Sequence, residues 1–365
     1  MITSHKFLNI LKKKKINFFA GVPDSVLKNL NYLIKKDFKK NLFVCANEGQ
    51  AVSLAIGHYL STKTIPCVYL QNSGLGNAIN PLISIADKNV YKIPMLMIIG
   101  WRGSPFKKDE PQHYKQGIET KAFLKNLGIK YLVVKNDSDL LKVPKIIDDI
   151  KKSKNIKALL IPNNFLTKVK EKKFLNKNKF EKYIFLKKLI NLTDKNYALF
   201  STTGYTSREH YEITKNEKNL AKNFFITGGM GHSSSIALGY ALSSKKKVIC
   251  LDGDGSVLMH LGALHLIGLK NKNNFKHIMF NNFVHESVGK QNTFSEKIDF
   301  KNLVYSLGYK DYQLIKHDTN LIKQIKVFLN KKGPAFLEVL IKVRDDQNLS
   351  RPDNFKKILE KFLDE

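Results

Sequence analysis

Acidic and amide side chains follow two successive apolar runs in the second half of the chain. The run VICL ends at Leu251 and is followed by DGDGS at 252 to 256, and the run HIMF leads into Asn281 and Asn282. Asp254 and Asn282 are 28 positions apart. A strand, a helix of about four turns and a return strand would bring both side chains to one edge of a parallel sheet, where ligands bind in such folds.

These side chains carry the oxygen ligands that magnesium prefers in proteins, usually one or two carboxylates beside the phosphate oxygens of a substrate. Asp254, the Asn282 amide and a backbone carbonyl such as that of Val284 would supply the protein ligands. The N–H groups of Gly253, Gly255 and Ser256 would face a diphosphate. The pattern therefore predicts a magnesium and diphosphate site.

Two other ligands were weighed for the same residues. A calcium-binding EF-hand loop requires glycine at its sixth place and a carboxylate at its twelfth, where Val257 and Ala263 stand, so that loop is excluded. A nicotinamide dinucleotide stays open, because NFFITGGMGHSSS at 223 to 235 resembles a degenerate glycine fingerprint with Gly229 and Gly231 in place. In that alternative Asp252 would bind a ribose.

Short apolar runs alternate with helical patterns on both sides of a lysine-rich stretch, and such alternation is typical of parallel sheets covered by helices on both faces. We therefore predict an α/β protein with two doubly wound parallel-sheet domains. The first spans 1–165, a linker spans 166–182, and the second spans 183–365.

The composition limits the class of protein further. The 365 residues are 43% hydrophobic, and the net charge is +31, carried almost wholly by lysine. Phosphate-binding surfaces usually use arginine as well, so we interpret most lysines as solvated surface residues, while nucleic-acid binding stays an alternative. The N-terminus lacks the order of a signal peptide, and the three cysteines show no metal spacing. These features predict a soluble, cytoplasmic protein without a membrane segment.

In these motifs the chain resembles the thiamine diphosphate-dependent phosphonopyruvate decarboxylases, with the sulfopyruvate decarboxylases as near relatives. The resemblance covers nearly the whole length. The pair of motifs GDG and NN indicates the cofactor class. The subfamily is indicated by GVPDS at 21 to 25, NEGQAVSLAIG at 47 to 57, QNSGLGNAINPL at 71 to 82, GWRG and DEPQH within 100 to 113, TTGYTSRE at 202 to 209, GGMGHSSSIALG at 228 to 239 and NNFVHESVGKQ at 281 to 291.

The resemblance implies a fold and a set of cofactor contacts. The two domains would bind the pyrimidine and the diphosphate of thiamine diphosphate, and the central third domain of larger decarboxylases would be missing. Glu48 would bond the aminopyrimidine and activate the cofactor, Met230 would support its bent shape, and Thr203 and Gly204 would lie at the diphosphate. Gly229 is predicted to bind the cofactor as well. The resemblance further implies a homo-oligomer, at least a dimer, with the active site at the subunit interface.

The reaction implied is the loss of carbon dioxide from 3-phosphonopyruvate to give phosphonoacetaldehyde, in phosphonate (2-aminoethylphosphonate) biosynthesis. Sulfopyruvate or another 2-oxo acid is the alternative substrate. Proton transfer and anion binding need further groups. We predict Asp24, Ser25, His113 and His285 for catalysis, and Asn72, Ser73, Arg102 and Lys290 for the substrate.

The sequence departs from the family pattern at two places beside this site. Phe283 follows the double asparagine where the family more usually has glycine, and Lys290 replaces the second glycine of a VGGQ-like run. Both would narrow or recharge the mouth of the pocket, where the anionic group of the substrate would bind.

Overall fold

The computed structural model describes residues 1–170, 176–216, 220–344 and 349–364. The chain divides into two compact units, Met1–Lys173 and Phe174–Glu365. The boundary falls within the lysine-rich stretch 166–182, whose ends belong to the units: Leu166 pairs with Ile2, and Phe180 is buried in the core of the second unit. In the described part of the chain, no helix has the length and apolar character needed to cross a membrane.

The first unit is built on six parallel strands in the order β2-β1-β3-β4-β6-β5. The strands are β1 (Phe19–Gly21), β2 (Leu42–Val44), β3 (Cys67–Gln71), β4 (Leu96–Trp101), β5 (Lys130–Val133) and β6 (Lys157–Pro162). The helices are α1 (Ser4–Lys13), α2 (Lys28–Asp37), α3 (Glu48–Thr62), α4 (Leu75–Pro81), α5 (Pro111–Asn126), α6 (Asp137–Leu140) and α7 (Val143–Ser153).

The second unit repeats this arrangement with the order β13-β14-β10-β9-β7-β8. Its strands are β7 (Tyr197–Ser201), β8 (Lys222–Phe225), β9 (Lys247–Gly253), β10 (Phe275–Asn281), β13 (Asp311–Ile315) and β14 (Ala335–Leu340), with a separate hairpin of β11 (Val284–His285) and β12 (Gln291–Asn292). Its helices are α8 (Lys182–Asn191), α9 (Tyr205–Asn216), α10 (Ser233–Ser243), α11 (Asp254–Met259), α12 (Ala263–Lys270), α13 (Phe300–Ser306), α14 (Leu321–Asn330) and α15 (Phe355–Asp364).

The central strands are apolar on both faces, because helices cover both sides of each sheet. In β9, Ile249 and Leu251 join one buried cluster while Val248 and Cys250 join the cluster on the opposite face. Successive strand residues point to opposite faces, which explains why such strands read as continuous apolar runs. The predicted fold class, two doubly wound parallel sheets, is confirmed.

Both sheets reverse their strand order at corresponding places. The chain goes from β1 outward to β2 and then returns past β1 to form β3; in the second unit it goes from β7 to β8 and returns to β9. Ligands of doubly wound folds bind outside the carboxyl ends of the strands at such a reversal. The positions to inspect therefore follow β1 and β3 in one unit, and β7 and β9 in the other.

Candidate active site

A pocket in the second unit lies at this reversal. Ten of the residues singled out in the sequence line it: Thr203, Gly204, Met230, Gly253, Asp254, Gly255, Ser256, Asn282, Val284 and His285. Gly229 and Lys290, predicted for the same site, are not among the residues that line this pocket; the Lys290 ammonium instead donates to the Arg344 carbonyl at 2.9 Å.

Asp254 is the first residue of α11 and is buried. Its Oδ2 accepts hydrogen bonds from the hydroxyls of Thr293 (2.5 Å) and Ser295 (2.9 Å). Burial raises the pKa of Asp254 to about 6, although these hydrogen bonds act to lower it. A buried carboxylate of this kind is favoured by a bound cation, since the cation offsets the cost of burying the charge.

The two asparagines after β10 have different roles. Asn281 donates to Glu338 Oε1 at 2.7 Å and accepts from Ser295 Oγ at 2.7 Å, so it anchors the turn. Asn282 lines the pocket, and its side-chain oxygen accepts from the backbone N–H of Val284 at 3.1 Å. Ser295 therefore connects the turn after β10 to Asp254, a link that the sequence did not reveal.

The two departures from the family pattern lie where the backbone favours glycine. Phe283 has φ of 68° and Lys290 has φ of 56°, both in the left-handed region. Side chains with a Cβ are strained there. Glycine would adopt either conformation without this strain, and this chain places two bulky residues there.

His285 and Gly255 pack directly against each other in the pocket. A Cβ atom on Gly255 would lie 2.7 Å from the imidazole of His285. His285 is buried, and burial lowers its pKa to about 4. The ring is therefore neutral at physiological pH, so it can accept or donate a hydrogen bond without carrying charge.

The glycine loop before α10 is bonded to the strand ends by hydroxyl groups. Thr203 Oγ1 accepts from the N–H of Gly228 at 3.0 Å, and Ser256 Oγ accepts from the N–H of Gly231 at 3.1 Å. These two side chains, predicted to contact the cofactor, thus hold the loop that carries Met230. They shape the pocket through the backbone as well as by lining it.

In the first unit, Glu48 begins α3 and is buried. The helix start is fixed by Asn47, whose side chain accepts from the N–H of Gln50 at 2.9 Å, as expected for an N-cap. Glu48 Oε2 accepts from the Asn77 amide at 2.8 Å, and a Cβ atom on Gly74 would lie 2.0 Å from Oε1. Burial raises the pKa of Glu48, partly offset by the Asn77 hydrogen bond.

Asp24 follows β1 and is fully buried. Its Oδ2 accepts from the N–H of Leu27 at 3.1 Å, whereas Oδ1 has no hydrogen-bond partner among the described residues. Burial raises the pKa of Asp24 to about 6, against a smaller lowering influence from Arg102. Asp24 and Glu48 are thus two buried carboxyl groups with raised pKa in the same unit.

Arg102 follows β4, and its guanidinium is already engaged. Its Nε and Nη2 donate to the two oxygens of Asp109 at 2.7 and 2.5 Å, and Nη1 donates to Ser25 Oγ at 3.1 Å. Burial raises the pKa of Asp109, but the bonds from Arg102 and from backbone N–H groups outweigh burial and hold that pKa below its usual range. The Arg102 guanidinium, predicted to bind the anionic substrate, is therefore directed to Asp109.

The Asn72 side chain, predicted for the substrate, is hydrogen-bonded within the first unit. Its amide group donates to the Arg102 carbonyl (3.0 Å) and to Thr120 Oγ1 (2.9 Å), while its oxygen accepts from the Arg102 N–H (3.0 Å). Both N–H donors of the amide are thus engaged, while its oxygen keeps a second lone pair, so substrate binding by Asn72 stays a prediction. Ser73 is exposed and accepts from Gln71 Nε2 at 2.6 Å, and His113 lies in the first turn of α5.

The nicotinamide alternative fails on the position of Asp252. This side chain is 1% exposed; its Oδ2 accepts from Ser233 Oγ at 2.9 Å and its Oδ1 from the N–H of Gly253 at 3.0 Å. A ribose cannot reach a carboxylate enclosed in this way. Asp252, with His277 at 3.4 Å, instead supports the end of β9 from inside the unit.

Comparisons with known proteins agree with this site. The family described as "Thiamine pyrophosphate enzyme, N-terminal TPP binding domain" matches residues 1–123, and "Thiamine pyrophosphate enzyme, C-terminal TPP binding domain" matches 202–339. Thiamine pyrophosphate and thiamine diphosphate are the same cofactor. The first match contains Glu48 and the second contains Asp254 and Asn282.

Three curated relatives illustrate the similarity. The phosphonopyruvate decarboxylase of Streptomyces viridochromogenes is 28% identical over 91% of this chain and 87% of its own length. The sulfopyruvate decarboxylase of Methanosarcina acetivorans is 27% identical over 92% of this chain and 90% of its own length. The sulfopyruvate decarboxylase subunit beta of Methanothermobacter thermautotrophicus is 32% identical over 44% of this chain and 83% of its own length.

The chain therefore belongs to the thiamine pyrophosphate enzymes. Within them it is similar along nearly its whole length to the phosphonopyruvate decarboxylases, with sulfopyruvate decarboxylases as further relatives. The resemblance noted in the sequence is confirmed, as is the enzyme class, a thiamine diphosphate-dependent 2-oxo acid decarboxylase.

Proposed function

We propose that this protein catalyses the thiamine diphosphate- and magnesium-dependent decarboxylation of 3-phosphonopyruvate to phosphonoacetaldehyde and carbon dioxide, as a step in phosphonate (2-aminoethylphosphonate) biosynthesis. The observation that carries the proposal is the pocket in the second unit, where Asp254, Asn282 and the Val284 segment meet. The similarity to phosphonopyruvate decarboxylases over 91% and 96% of the chain supports the substrate. The cytoplasmic location stays a prediction.

The residues of the pocket fit magnesium and a diphosphate. Their donor atoms are hard oxygens, namely the buried Asp254 carboxylate, the Asn282 amide and the Val284 carbonyl, which magnesium prefers. Gly253 precedes the first turn of α11, so backbone N–H groups are available to a diphosphate. Thiamine diphosphate, when bound, supplies the electron sink that decarboxylation of a 2-oxo acid requires.

Glu48 is proposed to exchange a proton with the pyrimidine part of the cofactor. Its Oε2 is held by Asn77, so Oε1, which lies against Gly74, is the atom that can take part. Its raised pKa brings protonated and ionised forms closer in energy at neutral pH. Burial in the apolar setting of α3 thus suits a group that must gain and lose a proton.

Asp24, Ser25 and His285 are proposed to serve the substrate. Asp24 Oδ1 has a hydrogen-bonding capacity that no described residue satisfies, and its pKa of about 6 allows it to hold or release a proton near neutrality. Ser25 is oriented by the Nη1 of Arg102. Arg102, whose charge is paired with Asp109, would then act on the substrate through Ser25.

Sulfopyruvate is the second candidate substrate, because a sulfopyruvate decarboxylase matches 92% of this chain. Phosphonate and sulfonate differ by one charge at neutral pH but share a tetrahedral shape. The two cationic side chains predicted to bind this group, Arg102 and Lys290, are bonded within the chain. Discrimination between the two acids therefore has to be measured.

We also propose a homo-oligomer, at least a dimer, whose active site combines Glu48 of one subunit with the diphosphate site of another, as the resemblance implies. Some sulfopyruvate decarboxylase relatives are named as separate subunits alpha and beta.

The experiment is a substrate comparison with purified protein, thiamine diphosphate and magnesium. Carbon dioxide release is followed with phosphonopyruvate, sulfopyruvate and pyruvate, and the aldehyde product is identified. We expect the highest kcat/KM for phosphonopyruvate. A preference for sulfopyruvate would select the second candidate. A preference for pyruvate would overturn the proposal that the enzyme recognises a phosphonate or sulfonate group.

A further inference from the structure

A lysine is buried at the start of α8, where the sequence predicted only the end of a linker. Lys182 shares the buried face of this helix with Phe185, Leu186, Leu189 and Ile190, at spacings typical of one helix face. Its side chain is 7% exposed. Lys182 also lines the pocket that contains Thr203, Gly204 and Asp254. A cation therefore borders the proposed diphosphate site.

The Lys182 ammonium is surrounded by oxygens that do not bond it closely. Its Nζ lies 3.5 Å from Thr206 Oγ1, 3.7 Å from Glu209 Oε1 and 3.9 Å from Glu286 Oε2. Hydrogen bonds from nitrogen to oxygen in proteins are usually about 2.7 to 3.2 Å long. The N–H donors of the ammonium are thus not saturated by these three groups.

Both carboxylates have Arg344 as a closer partner. Arg344 donates from Nη1 to Glu209 and from its backbone N–H to Glu286 at 2.5 Å. Glu209 and Glu286 therefore balance the charge of Lys182 without forming short hydrogen bonds to it. The charges of this cluster are thus compensated, but the long distances leave N–H donors of Lys182 available to an anion in the pocket.

We propose that Lys182 binds an oxygen of the cofactor's diphosphate directly, and that Glu209 and Glu286 hold the ammonium in place for this contact. The inference rests on the proposed function, because it assumes that this pocket receives the diphosphate. The diphosphate carries more negative charge than one magnesium ion neutralises. Lys182 supplies a further positive charge on the side of Thr206 and Glu286, which also line the pocket.

The test measures binding rather than turnover. Isothermal titration calorimetry with the full-length apo protein and magnesium gives the Kd of thiamine diphosphate and, separately, of inorganic pyrophosphate. The Lys182→Met variant removes the charge while keeping an unbranched side chain. Lys222→Met is the matched control, since Lys222 is also a buried lysine of the second unit but donates to the Phe362 carbonyl and does not line the pocket.

We expect Lys182→Met to weaken both ligands by about tenfold to about a hundredfold, the range for one hydrogen bond to a charged group. Lys222→Met should bind as the wild type does. If the single variant does not fold, the double variant Lys182→Met with Glu209→Gln takes its place. It removes one cation and one anion, so the net charge of the cluster is unchanged. We expect it to show the same loss of affinity.

Wild-type affinity for pyrophosphate in the folded Lys182 variants would overturn the inference. A raised KM for the 2-oxo acid with unchanged cofactor Kd would overturn it too, because Lys182 would then serve the substrate. Failure of the wild-type protein itself to bind thiamine diphosphate would instead refute the proposed function. The two failures are therefore distinguishable.

Discussion

Single carboxyl groups at the ends of strands show how burial prepares a residue for proton transfer. Glu48 and Asp24 are both buried, and each packs its carboxyl group against a glycine, Gly74 and Gly100 respectively. The sequence indicated these two acids through a family resemblance alone. The sequence could not reveal the glycines that leave space for these carboxyl groups. Gly74 and Gly100 are remote from Glu48 and Asp24 in sequence and contact them only in the folded unit.

Replacing Glu48 by glutamine should leave the fold and the Asn77 hydrogen bond in place, since the amide oxygen can accept it. Proton exchange at Oε1 would be lost, so we expect kcat to fall by about a hundredfold or more, as for removal of a general acid or base. Carbon dioxide release and calorimetric cofactor binding are measured together. Wild-type turnover in this variant would remove Glu48 from the proposed role.

Asp24 makes a prediction about stability and pH. Its pKa is about 6 in the folded protein and about 3.9 in an unfolded chain, so between these values the folded state binds more protons. The contribution of Asp24 to the free energy of unfolding therefore falls as pH rises, by roughly 2 kcal/mol between pH 4 and pH 8. Asp24→Asn should be more stable than wild type at pH 8, and by much less at pH 4.

Thermal unfolding at both pH values checks this, with the exposed Asp148→Asn as the control in the same unit. A stability gain of equal size at pH 4 and pH 8 would show that ionisation of Asp24 is not the cause. The turnover of Asp24→Asn is measured alongside. It shows whether catalysis requires this carboxylate, which destabilises the folded protein when it is ionised.

Among the secondary-structure elements, the central strands were predictable because burial on both faces leaves a continuous apolar run. The hairpin of β11 and β12 was not, since its strands have two residues each and no periodicity can show in so short a segment. Thr293 and Ser295, which bond Asp254, follow this hairpin and were missed for that reason. Lys182 was missed because its lysine-rich surroundings resemble a linker, although its place on an apolar helix face was a usable signal.

The turn between β3 and α4 gives an element-scale prediction. A Cβ atom on Gly74 would lie 2.0 Å from Glu48 Oε1, whereas a Cβ atom on Gly76, two residues on, would meet nothing within 4 Å. Gly74→Ala should therefore displace Glu48 and reduce kcat about as strongly as Glu48→Gln. Gly76→Ala should keep wild-type turnover and stabilise α4 by up to about 1 kcal/mol.

Turnover and thermal unfolding are measured for both alanine variants. A Gly74→Ala protein with normal kcat would mean that the position of Glu48 is not critical. Equal losses in both variants would mean that any side chain in this segment disturbs the unit, which would also contradict the specific contact.

At the scale of the whole molecule, the first unit supplies Glu48 and the second supplies Asp254. If one active site uses Glu48 of one subunit and Asp254 of another, Glu48→Gln and Asp254→Ala chains should complement each other. Random pairing in a dimer would give half mixed dimers, each with one intact site of two, so co-expressed variants should recover about a quarter of wild-type activity. Carbon dioxide release from the affinity-purified mixture measures this.

A mixture as inactive as its two components, despite confirmed mixed dimers, would place both groups of each site in one chain. The sequence indicated the two-unit architecture from its alternation of strands and helices. It did not determine the assembly, because subunit contacts have no periodic signature comparable to that of a buried strand.

The central claim is that Asp254 holds magnesium and thiamine diphosphate for decarboxylation. The most direct measurement is carbon dioxide release from phosphonopyruvate by protein stripped with a chelator, then supplied with both components, with either one alone, or with neither, for wild type and Asp254→Ala. We expect release by the wild type only when both are present, and a loss of at least about a hundredfold in the variant. Release without the cofactor, or an Asp254→Ala variant as active as wild type, would contradict the account.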